Sequence, residues 1–107
     1  MSSAHWASQA IEDLKDGKQA TIYPKGNSMQ PRIESGAEVV LEPVTDPESL
    51  QKGDVVLVSV GRDIYLHLVT AVDKSRVQIS NNKGRVNGWV MKKNVYGRAV
   101  TINNKAK

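Results

Sequence analysis

The segment from Asp54 to Val60 constrains the fold of this chain more than any other. Between Gly53 and Gly61 it holds four valines and a leucine. β-Branched side chains lose rotamer freedom in a helix and pack well on a pleated surface, so a short run of them bounded by glycines reads as a strand. It has almost no polar alternation, which marks a strand covered on both faces rather than one with a wet side. The chain has no Phe, and aromatics make up only 5% of it. Its core must therefore come mainly from Val, Ile and Leu, which again favours strands.

Further strands are read at Ala20 to Pro24, Glu38 to Glu42, Ile64 to Val72, Arg76 to Ile79 and Tyr96 to Ile102. Pro43, Asp46 and Pro47 end the second of these with turn chemistry. Gly61-Arg62-Asp63 reads as a hairpin turn. Asn81-Asn82-Lys83-Gly84 reads as a polar loop, and Asn87 and Gly88 also read as turn residues, with Trp89 as a core or edge plug. Ala4 to Asp16 predicts one short helix, with Trp6, Ala10, Ile11 and Leu14 on one side and Gly17 as its stop. The Trp6 side is expected to pack on the strands. The expected fold is mostly β, a folded sheet or partly open barrel with one short N-terminal helix. It is a single globular domain in which residues 1–19 form the helical segment and 20–107 the β body.

A length of 107 residues suffices for a core without staples. There is no Cys, which removes thiol nucleophiles, Cys-ligated zinc and disulfides. No apolar run approaches the roughly 20 residues that span a bilayer, and no basic start followed by an apolar stretch marks a secretory signal. The expectation is a cytoplasmic protein without a membrane partner. His5, read as an exposed residue, is far in sequence from His67, and no carboxylates pair with either, so no metal is expected. The phosphate-loop and dinucleotide fingerprints are missing too, and no cofactor is expected.

The net charge of +4 is unevenly spread. Residues 1–72 carry six Lys/Arg and ten Asp/Glu, net −4; residues 73–107 carry nine Lys/Arg and one Asp, net +8. The basic third, with Lys83, Arg85, Lys92, Lys93 and Arg98, could meet nucleic acid or an acidic protein surface, or be a solvated face. Trp89 and Tyr96 are its only aromatics, too few for a base-stacking platform, which ranks nucleic acid below a peptide or protein as partner.

Three pieces carry chemistry. Gly26-Asn27-Ser28-Met29-Gln30-Pro31 comes first and Gly53-Asp54-Val55-Val56 second. The third is Tyr65-Leu66-His67-Leu68-Val69, followed by Asn81-Asn82 and by Val95-Tyr96-Gly97-Arg98. Read as local structure alone, Ser28 is a turn serine bonded to its own backbone and His67 a satisfied core residue. Strand alternation places Tyr65, His67 and Val69 on one face and Leu66 and Leu68 on the other.

In this order the pieces resemble the serine peptidases of the LexA-repressor and signal-peptidase superfamily, over about Tyr23 to Val100. The resemblance implies that family's compact folded sheet and a peptide substrate lying extended along an edge strand. It implies Ser28 as nucleophile and the Ser28 N–H as an oxyanion donor. Gly26, lacking a side chain, would let the backbone approach the peptide, Asn27 would belong to the same oxyanion loop, Met29 would anchor the loop or line the cleft, and Pro31 would stiffen the turn. Where the LexA-like members carry a lysine base this chain has His67, as the archaeal and endoplasmic-reticulum signal peptidases do. A neutral imidazole accepts a hydroxyl proton near neutral pH. The Asp that orients the imidazole in that branch is absent between Ser80 and Gly88, and Leu68 replaces the Arg that follows the base in the family. Ser80, Asn81, Asn82 and Asn87 are the candidates to orient His67, since an Asn serves this purpose in Cys-His-Asn proteases. The alternative is a non-catalytic module that keeps the fold and the peptide groove and uses its basic C-terminal third.

Overall fold

The valine-rich segment is the middle strand of a seven-stranded antiparallel sheet. The computed structural model describes residues 7–26 and 28–104. The strands are β1 (Ala20–Ile22), β2 (Glu38–Pro43), β3 (Val55–Val60), β4 (Asp63–Val72), β5 (Arg76–Ser80), β6 (Val86–Met91) and β7 (Val95–Asn103). Their order across the sheet is β1-β2-β7-β3-β4-β5-β6, so β7 separates β2 from β3. The sheet stays open, with β1 and β6 at its edges. One α-helix, α1 (Ser8–Lys15), and two single 3₁₀ turns, Pro47–Ser49 and Lys92–Asn94, complete the described residues.

The lack of alternation in β3 has the expected cause. Val55 and Leu57 enter one core with α1, β1, β2 and the loop residues Met29 and Ile33. Val56 and Val58 enter a second core with Leu50, Val69, Val77, Ile79 and Val95. All four β3 side chains are at most 5% exposed. At about 25 cal/mol per Å² of apolar surface, this two-sided burial is the main term holding the sheet together.

Helix α1 buries Ala10, Ile11 and Leu14. It ends as expected at Gly17, where φ is +80° and the N–H groups of Gly17 and Lys18 reach Leu14 O and Asp13 O. That pair of bonds is a Schellman cap. Its seat on the sheet is Gly97, where an added Cβ would lie 2.9 Å from both Glu42 O and Leu14 Cδ1. Ala4, His5 and Trp6 lie outside the described residues.

The strands observed at 20–22, 38–43, 63–72 and 76–80 match the expected segments to within two residues. The region after Ser80 differs. Asn87 and Gly88 belong to strand β6 and not to a turn. Ile79 pairs with Gly88 and Ser80 with Val86, which leaves Asn87 as the extra residue of a β-bulge. Trp89 is 41% exposed on this edge strand, with Arg76 stacked over its ring at 5.2 Å, so it plugs no core.

The basic third is also less exposed than its sequence implies. Lys92 is buried, and its Nζ donates to Glu48 Oε1 at 3.1 Å and to Lys74 O at 3.3 Å. Arg98 Nη1 donates to Ser49 O, Ser49 Oγ and Asp54 Oδ2. Two of the five cations singled out above therefore hold the two 3₁₀ turns and the start of β3 in place. Among the described residues no helix is long and apolar enough to cross a membrane.

Candidate active site

Ser28 stands on the loop that joins β1 to β2. The loop is closed at its neck by the Gly36 N–H donating to Pro24 O at 2.7 Å, and by the Gly26 N–H donating to Ser35 Oγ at 3.1 Å. Gly26 has φ +110°, a backbone setting that side chains other than glycine's rarely tolerate. Met29 and Ile33 are 5% and 3% exposed and root the loop in the first core. The Gln30–Pro31 peptide bond is cis, and Pro31 itself is exposed. Asn27 lies outside the described residues.

Two distant segments hold the rim of this loop. The Asn82 N–H donates to Ser28 O at 2.9 Å, and Asn82 Nδ2 donates to Gln30 O at 3.0 Å. Arg32 Nε donates to Asn82 Oδ1 at 3.1 Å. Beyond β7, Asn104 Oδ1 accepts from the Glu34 N–H while its Nδ2 donates to Arg32 O.

His67 sits in the middle of β4, opposite Val56 on β3, and is only 6% exposed. Its Nε2 lies 3.1 Å from Ser28 Oγ. Its Nδ1 lies 2.7 Å from Asn87 Oδ1. The tautomer follows from the partners. The Asn87 carbonyl oxygen can only accept, so Nδ1 carries the hydrogen and Nε2 is left with its lone pair facing the serine hydroxyl. Burial pushes the imidazole pKa below its usual value, and the bond to Asn87 offsets this only in part. His67 is therefore neutral at neutral pH, the state a base must be in. The Tyr65 ring stacks on the imidazole with centroids 4.7 Å apart and planes 20° apart.

Of the four residues expected to compete for the orienting position, only Asn87 takes it. Ser80 is buried and bonded to Thr70 Oγ1 at 2.7 Å. Asn81 Oδ1 caps its own turn by accepting from the N–H groups of Lys83 and Arg85. Asn82 braces the serine loop, as described. The bulge is what turns Asn87 inward. Its neighbour Gly88 has φ +151°, and an added Cβ there would come within 3.2 Å of Val60 Cγ1.

A cleft of about 430 Å³ opens beside Ser28, between the loop and the first half of β4. Pro24, Met29 and Ile33 wall it on the loop side, and Ile64, Tyr65 and Leu66 on the strand side. Sequence reasoning placed Met29 here but missed Tyr65, Ile64 and Arg32 as parts of the site. Tyr65 was within reach, since it lies two residues before His67 on the same strand face. No group of three or more metal-binding side chains occurs among the described residues.

Comparison of the chain with protein-family models, with curated proteins and with solved structures returned no match.

Proposed function

We propose that the chain is a serine peptidase of the LexA and signal-peptidase type, acting on an extended peptide with Ser28 as nucleophile and His67 as general base. One observation carries the reading: Asn87 Oδ1, His67 and Ser28 Oγ form a continuous hydrogen-bonded chain that ends at an open cleft. Its 3.1 Å link between Ser28 Oγ and His67 Nε2 is within the range of a nucleophile–base pair.

Nε2 takes the hydroxyl proton as Ser28 Oγ attacks the scissile carbonyl. The imidazolium then gives that proton to the leaving amine, and an acyl-serine remains. Water attacks the acyl group by the same base route and frees Ser28. In this reading the Ser28 N–H is the oxyanion donor. Asn87 holds the ring in the working tautomer, but as a neutral amide it stabilises the imidazolium less than a carboxylate would. A slow enzyme is expected.

The substrate's backbone has a place to pair. The Val69 N–H and C=O point towards β3, bonding Asp54 O and the Gly53 N–H. Strand alternation then turns the backbone groups of Ile64 and Leu66 to the opposite side. There, β5 begins its pairing only at Leu68, opposite Ser80. An extended peptide can add to this uncovered edge next to Ser28.

The test is to incubate the wild type and Ser28→Ala with a peptide library at neutral pH and analyse the products by mass spectrometry. Products that need Ser28 support the reading. Their absence, with peptides still bound, leaves a binding module on a peptidase-like frame, which the neutral amide at Asn87 would suit.

A further inference from the structure

The wall of the cleft beside Ser28 sets a substrate class. We infer that the site takes an extended peptide with a large apolar side chain, of leucine or methionine size or greater, next to the scissile bond. This rests on the peptidase reading for its cleavage step but not for its binding step.

The cleft measures about 430 Å³, within the range of roughly 300–1,000 Å³ found for sites that enclose small ligands. Its surface is mainly hydrocarbon. Met29 and Ile33 are part of the first core, and Ile64 packs against that core. Tyr23, 57% exposed, stands at the mouth. Lys25 and Glu34 also line the cleft, but against the Met29, Ile33, Ile64 and Leu66 walls a charged or amide side chain would lose its water at considerable cost. An alanine methyl would leave most of the wall uncovered, so its burial would contribute little.

Backbone pairing and side-chain insertion point the same way. A peptide paired along Ile64 and Leu66 alternates its side chains between the two faces of the sheet. Leu66 shares the first core with Met29 and Ile33. A peptide side chain on that face therefore enters the space the loop walls off. Ser28 lines the same cleft, so the inserted residue is adjacent to the bond Ser28 can reach.

Binding tests this apart from turnover. Ser28→Ala would be titrated into fluorescein-labelled Thr-Ser-Thr-Xaa-Thr-Ser-Thr peptides with Xaa set to Leu, Met, Phe, Ala or Asp, followed by anisotropy. The Leu, Met and Phe peptides should bind at least about tenfold more tightly than the Ala peptide, and the Asp peptide weakest of all. Ile64→Trp on the same background, which fills the cleft, should shrink the Leu-to-Ala ratio towards one. Equal affinities across the series, or tighter binding of Ala, would overturn the inference. Because these readouts need no hydrolysis, loss of the preference counts against this inference alone. Loss of Ser28-dependent cleavage in the wild type counts against the peptidase reading alone.

Discussion

His67 Nδ1 and Asn87 Oδ1 meet at 2.7 Å, although their residues stand two strands apart in the sheet. The contact decides which ring nitrogen faces Ser28, and so whether the histidine can act as a base at all. It also fixes what a carboxylate would do there. Asn87→Asp places a negative charge against Nδ1–H and stabilises the imidazolium of the transition state. In a Ser-His-Asp triad the reverse change costs about 10⁴-fold in kcat. Ser28-dependent hydrolysis should therefore rise by about tenfold or more in Asn87→Asp and fall by a similar factor in Asn87→Leu, measured as kcat/KM on one peptide.

The pH profile carries the same signature. In the proposed mechanism the base works only when neutral, so activity should rise as pH increases through the His67 pKa. Burial holds that pKa below the usual histidine value, so the acid limb of wild-type kcat/KM lies below pH 6.5. Asn87→Asp favours the protonated ring and should move the limb to higher pH. A limb that stays put in this variant would show that the two residues are not in contact in solution.

Folding is linked to the same proton. The unfolded state holds His67 at its ordinary pKa, and the folded state binds the proton less readily. The unfolded chain thus takes up more protons as pH falls below 6.5, and stability drops with it. His67→Gln should flatten this part of the curve, as read from urea midpoints between about pH 7.5 and pH 5. Asp73, whose carboxyl is held below its usual pKa by backbone and side-chain bonds from Arg76, contributes only at lower pH.

Two glycines separate stability from site geometry. At Gly97 a Cβ would meet Glu42 O and Leu14 at 2.9 Å, and at Gly88 it would meet Val60 Cγ1 at 3.2 Å with φ at +151°. Gly97→Ala and Gly88→Ala should each cost roughly 1–3 kcal/mol in denaturant melts. Only Gly88→Ala should also move the His67 titration followed by NMR, because Gly88 sets the bulge that aims Asn87.

Asn82→Ala removes the side-chain bonds to Gln30 O and from Arg32 while keeping its backbone N–H on Ser28 O. Each lost bond is worth about 0.5–1.5 kcal/mol when formed, less on an exposed loop. The expected result is a small loss of stability and about a tenfold loss in kcat, from a serine held less firmly. Rescue by Asn82→Gln, whose longer amide can reach the same partners, would separate positioning from folding.

The strands of this sheet were legible where burial left no choice. Val55 to Val58 cannot be wetted on either side, so residue type alone names β3. Ser28 and His67 were singled out by the resemblance of their local strings to a peptidase family, and the fold brings the two side chains to 3.1 Å. β6 was hidden by its own chemistry. Asn-Gly is the strongest short hairpin signal, and Asn87-Gly88 sits inside a strand because a bulge uses the same backbone freedom a turn would. The orienting residue was narrowed to four and no further, since Ser80, Asn81, Asn82 and Asn87 differ only in where the ladder carries them. Lys92 and Arg98 misled in the opposite direction: charge counted along a chain does not show which cations turn inward to Glu48 and Asp54.

The position of β7 has a consequence for how the pair comes into being. Ser28 belongs to the β1–β2 side and His67 to the β3–β6 side, and β7 is the strand that zips the two sides together. It also leaves the ribosome after all six others. A nascent chain that has not yet released residues 95–103 has no partner to bring β2 alongside β3. In the proposed reading the nucleophile and its base can meet only once residues 95–103 have joined the sheet, so a partly made domain holds no assembled Ser28–His67 pair.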